Sequence, residues 1–118
     1  MKIGMAGAGM MLTPWMDGIR FASELGYQAF EIFGEFPQTE IDLVSKEKRK
    51  RARSLAEEFG LEIVVHAPFN NLNIASLNRG ILKESVRQII SAVKFSRDLG
   101  GNVAVSYTHL TLPTNREV

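Results

Sequence analysis

The 118-residue sequence contains no cysteine and only two histidines, His66 and His109. Disulfide bonds and thiolate chemistry are therefore excluded, and any metal site would have to use histidine, aspartate or glutamate. A chain without cysteine is typical of a reducing compartment, so we expect a cytoplasmic protein.

The sequence also lacks a strong charge imbalance and long apolar runs. Its formal net charge of +1 gives no reason to expect a nucleic-acid or membrane surface. The basic run at residues 46–53 is interpreted as the solvated face of a helix. No run approaches the roughly 20 apolar residues of a membrane-spanning helix, and the glycines near the start argue against a signal peptide. We therefore expect no membrane partner.

One local pattern is present three times. A helix end, a glycine and a short apolar run recur at Gly26, Gly60 and Gly100, which lie 34 and 40 residues apart. Glycine past the last helical turn adopts the left-handed conformation that ends a helix at little steric cost. Short apolar runs after such caps are typical of strands covered by helices. The pattern predicts an α/β protein with a parallel sheet or barrel.

The predicted elements are about four parallel strands and three helices. The strands cover residues 2–6, 28–33 and 62–66, and a fourth begins at residue 102. The helices cover residues 14–25, 46–59 and 79–99. In the third helix, apolar residues recur at helical spacing and are predicted to be core: Leu82, Val86, Ile89, Ile90 and Val93.

The third predicted strand ends on His66, and Pro68 stiffens the turn that follows. In parallel α/β enzymes, side chains at the carboxyl ends of strands face the active site. Histidine is a common metal ligand and general base, so His66 is a candidate functional residue. The alternative interpretation is a capping or core histidine with a structural role.

The glycine-rich start of the chain resembles the opening of a dinucleotide-binding domain. Gly7 and Gly9 would be its first two glycines, but the third position falls on Leu12, where glycine or alanine is needed for close packing. The helix start near Pro14 is late for a phosphate-binding turn. Glu31 could be the acid that binds the ribose, so a small dinucleotide-binding Rossmann-type module stays open as an alternative.

A second resemblance covers residues 1–103. It rests on four segments: Leu25-Gly26-Tyr27, Phe30-Glu31-Ile32-Phe33, the run from His66-Ala67-Pro68-Phe69 to Asn73, and the stretch from Ser85 to Gly101. Together they resemble the xylose isomerase-like TIM barrel superfamily, which includes sugar-phosphate isomerases and epimerases and the AP endonuclease family 2. The resemblance implies the N-terminal half of a (β/α)8 barrel. It also implies a divalent metal (Zn, Mn or Mg) at the carboxyl ends of the strands.

The resemblance assigns roles to four residues. His66 matches a metal ligand or substrate contact, and Glu31 matches a catalytic acid or base near the end of strand two. Asn70 and Asn73 are candidate contacts to a sugar or sugar-phosphate substrate. The plainer alternatives are a strand-end salt bridge for Glu31 and turn formation for the asparagines.

Two departures disfavour the abasic-site endonuclease branch, the one alternative that implies a nucleic-acid partner. In that branch a histidine typically follows the first strand, whereas this chain has glycine, alanine and methionine there. Its third-strand turn typically has the pattern His-x-x-Tyr-x-x-Asn, whereas Phe69 and Leu72 occupy those positions here.

The chemistry of isomerisation fits the candidate residues. Moving a proton next to a carbonyl needs a base and a polarising cation, which a carboxylate, histidine and metal supply. We therefore expect an isomerase or epimerase.

Residues 105–118 do not continue the strand–helix pattern. The stretch from Val105 to Thr114 resembles the translated read-through of a transposase adapter used in preparing sequencing libraries. We interpret residues 1–104 as a partial barrel and residues 105–118 as a non-native tail, and we reject His109 as a ligand. A complete barrel takes roughly 250 residues. We therefore expect an inactive fragment that binds no metal tightly and has open, aggregation-prone outer strands.

Overall fold

Strands and helices alternate along the chain in the computed structural model, which describes residues 1–107. The strands are β1 (Gly4–Ala6), β2 (Ala29–Phe33), β3 (Glu62–His66) and β4 (Val103–Val105). The helices are α1 (Trp15–Glu24), α2 (Lys46–Phe59) and α3 (Arg79–Asp98), and 3-10 turns cover Gly7–Met10 and Ile41–Leu43. The predicted element types and their order are confirmed. Strand β1 is shorter than predicted, and β4 begins one residue later.

The four strands form a parallel sheet in the order β1-β2-β3-β4. A dinucleotide-binding sheet reverses its strand order beside the first strand, and the reversal creates its ligand crevice. Residues 1–107 contain no such reversal. The Rossmann-type alternative is therefore wrong in topology, and the order is that of the N-terminal half of a (β/α)8 barrel.

The predicted helix ends are present. Gly26, Gly60 and Gly100 have φ angles of 81°, 62° and 80°, in the left-handed region where glycine carries little strain. At the start of α2, the Ser45 hydroxyl oxygen accepts a hydrogen bond from the Lys48 backbone N–H at 3.2 Å. This cap satisfies one of the backbone donors that a helix leaves free at its first turn.

The core lies between the helices and the outer face of the sheet. Phe30 and Ile32 of β2 and Ile63 and Val65 of β3 point to this face and are at most 2% exposed. Gly18 allows α1 to approach closely, since a Cβ atom there would lie 2.5 Å from the Phe30 ring. The helices contribute the buried apolar residues Trp15, Ile19, Ala22, Ala52, Leu55, Ala56, Ala92 and Phe95, and Leu99 directly after α3 is buried with them.

The opposite side of the sheet, called here the inner face, has no helix over it among residues 1–107. Because side chains alternate along a strand, it carries the residues between the core positions. Glu31 and Phe33 of β2 and Val64 of β3 are partly exposed there, whereas His66 is buried. In a closed barrel this face lines the interior.

The predicted core stripe of α3 is partly wrong. Val86, Ile90 and Val93 are 41%, 48% and 52% exposed. The residues that α3 buries are instead Ser85, Ala92, Phe95 and Ser96. The buried stripe is thus displaced around the helix from the predicted one, because helical spacing alone does not fix which face is covered.

The basic run of α2 is solvent-exposed as predicted, apart from Ala52 and the half-buried Arg49. The Arg49 guanidinium donates to the Asp98 carboxylate at 2.9 Å and to the carbonyls of Ile41 and Val44 at 3.0 and 3.1 Å. It therefore joins α2 to α3 and to the loop before α2. No helix within residues 1–107 is both long enough and apolar enough to span a membrane.

Candidate active site

The predicted site residues lie at the carboxyl ends of β2 and β3, on the inner face. Phe33 pairs with His66, and His66 pairs with Val105. Glu31 pairs with Val64, two residues before His66 on the adjacent strand. The parallel register therefore brings the side chains of His66 and Glu31 to the same face, one pleat apart.

The His66 side chain is held in one tautomer. His66 is 6% exposed, and its Nδ1 atom lies 2.8 Å from the Ala67 carbonyl oxygen. A carbonyl oxygen can only accept, so Nδ1 carries a hydrogen and donates it to Ala67, which leaves Nε2 as the second ring nitrogen. Nε2 is thus the atom available to bind a cation or to accept a proton.

Three aromatic rings surround the imidazole. Phe33 stacks on it with the ring centroids 4.6 Å apart. Phe69 and Tyr107 contact it edge-on at 5.2 and 5.4 Å. Aromatic contacts at these distances fix ring orientation and exclude water. The ring of His66 is therefore both oriented and largely shielded.

The asparagines of the turn after His66 serve the backbone. Asn71 has a φ of 59°, a left-handed conformation that asparagine tolerates. The Asn73 side-chain oxygen accepts from the Ala75 N–H at 2.9 Å, and the Asn73 N–H donates to the Ser85 hydroxyl at 2.8 Å. Asn70 is exposed. Substrate contacts from Asn70 and Asn73 stay predictions, and the turn-forming alternative accounts for the geometry of Asn73.

Two loop residues were missed by the sequence analysis. The Glu35 carboxylate accepts from the Asn70 backbone N–H at 3.0 Å and so fixes the turn after His66. The buried Gln38 side chain accepts from the Phe33 N–H at 2.7 Å. It also donates to the carbonyls of Gly7 and Met10 at 2.9 and 3.1 Å. Gln38 thereby joins the loops that follow β1 and β2. No sequence signal marks these two residues, because their partners are distant along the chain.

A cavity of about 330 Å³ lies beside these loops, between the turn before α2 and the side of α3. Asp42 at its edge accepts hydrogen bonds from Arg87 and Ser91. The hydrogen bond from Ser91 is the largest cause that lowers the pKa of Asp42, and the hydrogen bond and positive charge of Arg87 lower it further. Arg87 also contacts Glu84 and lowers the pKa of that exposed carboxyl to about 2. The guanidinium is thus already neutralised by two carboxylates and offers no free anion site.

The residues that the structure describes do not form a metal site by themselves. Within residues 1–107, no three histidine, aspartate or glutamate side chains are arranged to hold a metal ion. His66 and Glu31 have suitable ligand chemistry, but further ligands are needed. His109, which the sequence analysis rejected as a ligand, lies outside the described residues.

The strands are parallel and in sequential order, helices cover one face, and the other face carries a histidine and a carboxylate. These features define an α/β-barrel protein with its polar site at the carboxyl ends of the strands. A family model described as xylose isomerase-like TIM barrel matches residues 19–117. The chain belongs to this family.

Two curated relatives match most of this chain. An uncharacterized protein of Methanocaldococcus jannaschii is 30% identical over 105 residues, which is 89% of this chain and 34% of the relative. Fructoselysine 3-epimerase of Shigella flexneri is 27% identical over 113 residues, or 92% of this chain and 41% of the relative. The chain thus spans well under half the length of these relatives.

Solved structures agree on the fold. A D-tagatose 3-epimerase-like protein superposes with a TM-score of 0.76 and 28% identity, covering 99% of this chain and 42% of that protein. Endonuclease IV of Thermus thermophilus superposes with a TM-score of 0.65 and 23% identity, covering 86% and 37%. The second likeness supports the fold alone.

Proposed function

We propose that this chain is part of a metal-dependent sugar or sugar-phosphate isomerase or epimerase. One observation carries the proposal: His66 and Glu31 share the inner face at the carboxyl ends of adjacent strands, where barrel enzymes hold their catalytic residues. The similarity to fructoselysine 3-epimerase and to a D-tagatose 3-epimerase-like protein supports the epimerase class.

The reaction would consist of proton removal and return at a carbon next to a carbonyl. Glu31 is the proposed base, because a carboxylate on the inner face can reach a substrate bound above the sheet. His66 would bind through Nε2, since Nδ1–H is committed to the Ala67 carbonyl. Phe33 and Phe69 would exclude water around the reacting carbon.

A divalent metal (Zn, Mn or Mg), when bound, would polarise the substrate oxygen. His66 is the proposed ligand from this chain, and the remaining ligands would come from strands beyond the described residues. We accordingly propose that the 118-residue chain is itself inactive and binds metal weakly. The absence of cysteine also favours a cytoplasmic location.

We further propose that residues 105–118 are a non-native tail. The proposal rests on the resemblance of residues 105–114 to adapter sequence. On this proposal Val105 of β4 and Tyr107, which contacts His66 and Phe69, are not native residues, and the Tyr107 contact would be absent from the parent protein. The family match, which extends to residue 117, counts against the proposal. Residues 108–118 lie outside the described part.

The second candidate is an abasic-site endonuclease, for which the supporting observation is a histidine at the end of β3. The substitutions at Phe69 and Leu72 disfavour it, since the nuclease pattern has tyrosine and asparagine there. A nuclease would also need a dense set of further metal ligands.

The test is to recover the genomic sequence that flanks residues 1–104 and to assay the encoded protein with Mn²⁺. We expect conversion of D-fructose or D-tagatose to the C3 epimer, abolished by a chelator, with no cleavage of abasic-site DNA. Cleavage of that DNA without epimerisation would replace the first proposal by the second. If the native coding sequence continues through residues 105–118, the proposal that these residues are a non-native tail is refuted.

A further inference from the structure

A side chain completes the hydrogen bonding between β1 and β2 at their carboxyl ends. The last backbone pair in this register is Ala6 with Glu31. Continuing the register would direct the Phe33 N–H toward the Gly7 carbonyl, because a parallel-strand residue donates to the residue before its opposite number. The Gln38 amide lies between these two groups instead. It accepts from the Phe33 N–H at 2.7 Å and donates to the Gly7 carbonyl at 2.9 Å, and this arrangement is called here the amide bridge.

The amide bridge uses both donors and the acceptor of Gln38. The second N–H of the amide donates to the Met10 carbonyl at 3.1 Å. Backbone carbonyls only accept and a backbone N–H only donates, so these partners fix which end of the amide is the oxygen. Gln38 is 6% exposed, and hydrogen bonds shielded from water are electrostatically stronger. Glutamate has the same shape but no donor when ionised, so the amide is specifically required.

The amide bridge is packed against the backbone of Glu31. A Cβ atom on Gly7 would lie 2.5 Å from the Glu31 carbonyl oxygen and 2.9 Å from Gln38 Oε1. Gly7 therefore fills the space between the Glu31 peptide and the amide without room for a methyl group. A displacement of the amide would shift the β1 loop and the end of β2 together, and the Glu31 side chain with them.

We propose that Gln38 is a positioning residue for Glu31. The inference rests on the proposed function, in which Glu31 is the base. Gln38 is buried behind the strand ends and does not touch the substrate. It fixes the separation of β1 and β2 at the carboxyl end, and thereby the place of the Glu31 carboxylate relative to the reacting carbon. A misplacement of about 1 Å in an active site can lower the rate about 10²-fold. The amide bridge is made entirely by residues 7–38.

The test uses Gln38→Glu, which keeps the shape of the side chain and makes its donor depend on pH. A protonated carboxyl can accept from Phe33 and donate to Gly7, whereas an ionised carboxylate has no donor and faces carbonyl oxygens. Burial and those oxygens should raise the pKa of this carboxyl above its ordinary value of about 4.3. Glu40 and Lys48 line a cavity with residue 38 and carry opposite charges, so this cavity has no excess of either sign.

The measurement is the kcat of Gln38→Glu divided by that of the wild type at each pH. It uses the protein encoded with its native flanking sequence and Mn²⁺, with D-fructose or D-tagatose as substrate and circular dichroism to monitor folding. We expect a ratio near one at low pH and a reversible fall of about 10–100-fold as the carboxyl ionises. A role in stability alone would not change kcat per folded molecule. A ratio that does not vary with pH, or that falls only where the variant unfolds, would overturn the proposal.

Gln28→Glu is the matched control for the added charge. Gln28 is exposed, and its side-chain oxygen accepts from the Ile3 N–H at 3.2 Å. A carboxylate also accepts, so we expect the kcat ratio of this variant to stay near one at every pH. An equal fall in Gln28→Glu would attribute the effect to added charge and overturn the proposal.

A second pair of variants displaces the amide bridge without adding a charge. Gly7→Ala places a Cβ atom against the Glu31 carbonyl and the Gln38 amide, so we expect kcat to fall about tenfold or more. Gly9→Ala adds a methyl group with nothing within 4 Å and should leave kcat unchanged. Equal kcat values for the two folded variants would overturn the proposal.

Failure of the proposed function would give a different result. A wild-type protein that epimerises neither sugar would refute the proposed function, and the amide bridge is then tested without substrate. A carboxyl with a raised folded pKa stabilises the protein below its unfolded pKa, and that stabilisation is lost as the pH rises through the folded value. We therefore expect the unfolding midpoint of Gln38→Glu to fall relative to the wild type as the pH rises. A pH-independent difference between the midpoints would overturn the amide bridge, whereas an active wild type with a constant kcat ratio would overturn only the positioning role.

Discussion

The two faces of the sheet are made by the same strands, yet their residues differ sharply in burial. Phe30, Ile32 and Val65 on the outer face are fully buried under the helices. Glu31 and Phe33, which alternate with them, remain partly exposed on the inner face. Because side chains alternate along a strand, adjacent residues can serve different tasks. The buried apolar contacts are concentrated on the outer face, and the proposed chemistry lies on the inner face.

The largest effect is expected at the centre of the outer face. Phe30→Ala removes a fully buried ring and leaves a cavity, at a cost of about 3–5 kcal/mol. Phe33→Ala is the matched control on the inner face, and we expect at most half that loss because the ring is only partly buried. Urea unfolding of both variants measures the difference. Equal losses would contradict the contrast between the faces.

A smaller effect is expected from a methyl group added beneath the outer face. Gly18→Ala would place a Cβ atom 2.5 Å from the Phe30 ring. We expect a loss of about 1–3 kcal/mol, although alanine favours helix by about 1 kcal/mol. Gly9→Ala, with nothing within 4 Å of the added atom, should change the unfolding free energy by less than about 0.5 kcal/mol. A stabilised Gly18→Ala variant would show that α1 does not approach β2 this closely.

At the carboxyl end of β3, substitutions of the adjacent residues Val65 and His66 should change the stability by different amounts. His66→Phe keeps the stack on Phe33 and loses only the bond to Ala67, so we expect a change within about 1 kcal/mol. Val65→Thr buries an unpartnered hydroxyl on the outer face and should cost about 1–3 kcal/mol. If thermal unfolding shows a larger loss of stability for His66→Phe than for Val65→Thr, a structural role of His66 is favoured over a functional one.

The smallest effect is expected from the surface carboxylates beside α3. Arg87 lowers the pKa of Glu84 from 4.5 to about 2, and Ser91 with Arg87 lowers the pKa of Asp42. A carboxyl with a lowered folded pKa stabilises the protein above its unfolded pKa, and the stabilisation is lost as the pH falls toward the folded value. Unfolding midpoints should therefore decline slightly from about pH 4.5 to about pH 2. Asp42→Asn should reduce that decline, and an unchanged slope would remove Asp42 from the explanation.

The strand–helix order was predictable because its signals are local. Gly26, Gly60 and Gly100 end their helices by backbone conformation alone. The exposed flank of α3 was not predictable, since helical spacing marks an apolar stripe without saying which neighbour covers it. In the candidate site, His66 was predictable because it is the last residue of a strand. Glu35 and Gln38 act through backbone groups that only the folded chain brings near.

The central claim is that the inner face at the ends of β2 and β3 performs the chemistry. The most direct measurement is the epimerase rate of the protein encoded with its native flanking sequence, compared with its Glu31→Gln variant. We predict a fall in kcat of about 10²–10⁴-fold, the usual contribution of a general base, with an unchanged unfolding midpoint. A variant that keeps its activity would contradict the claim, and so would one that loses activity only by unfolding.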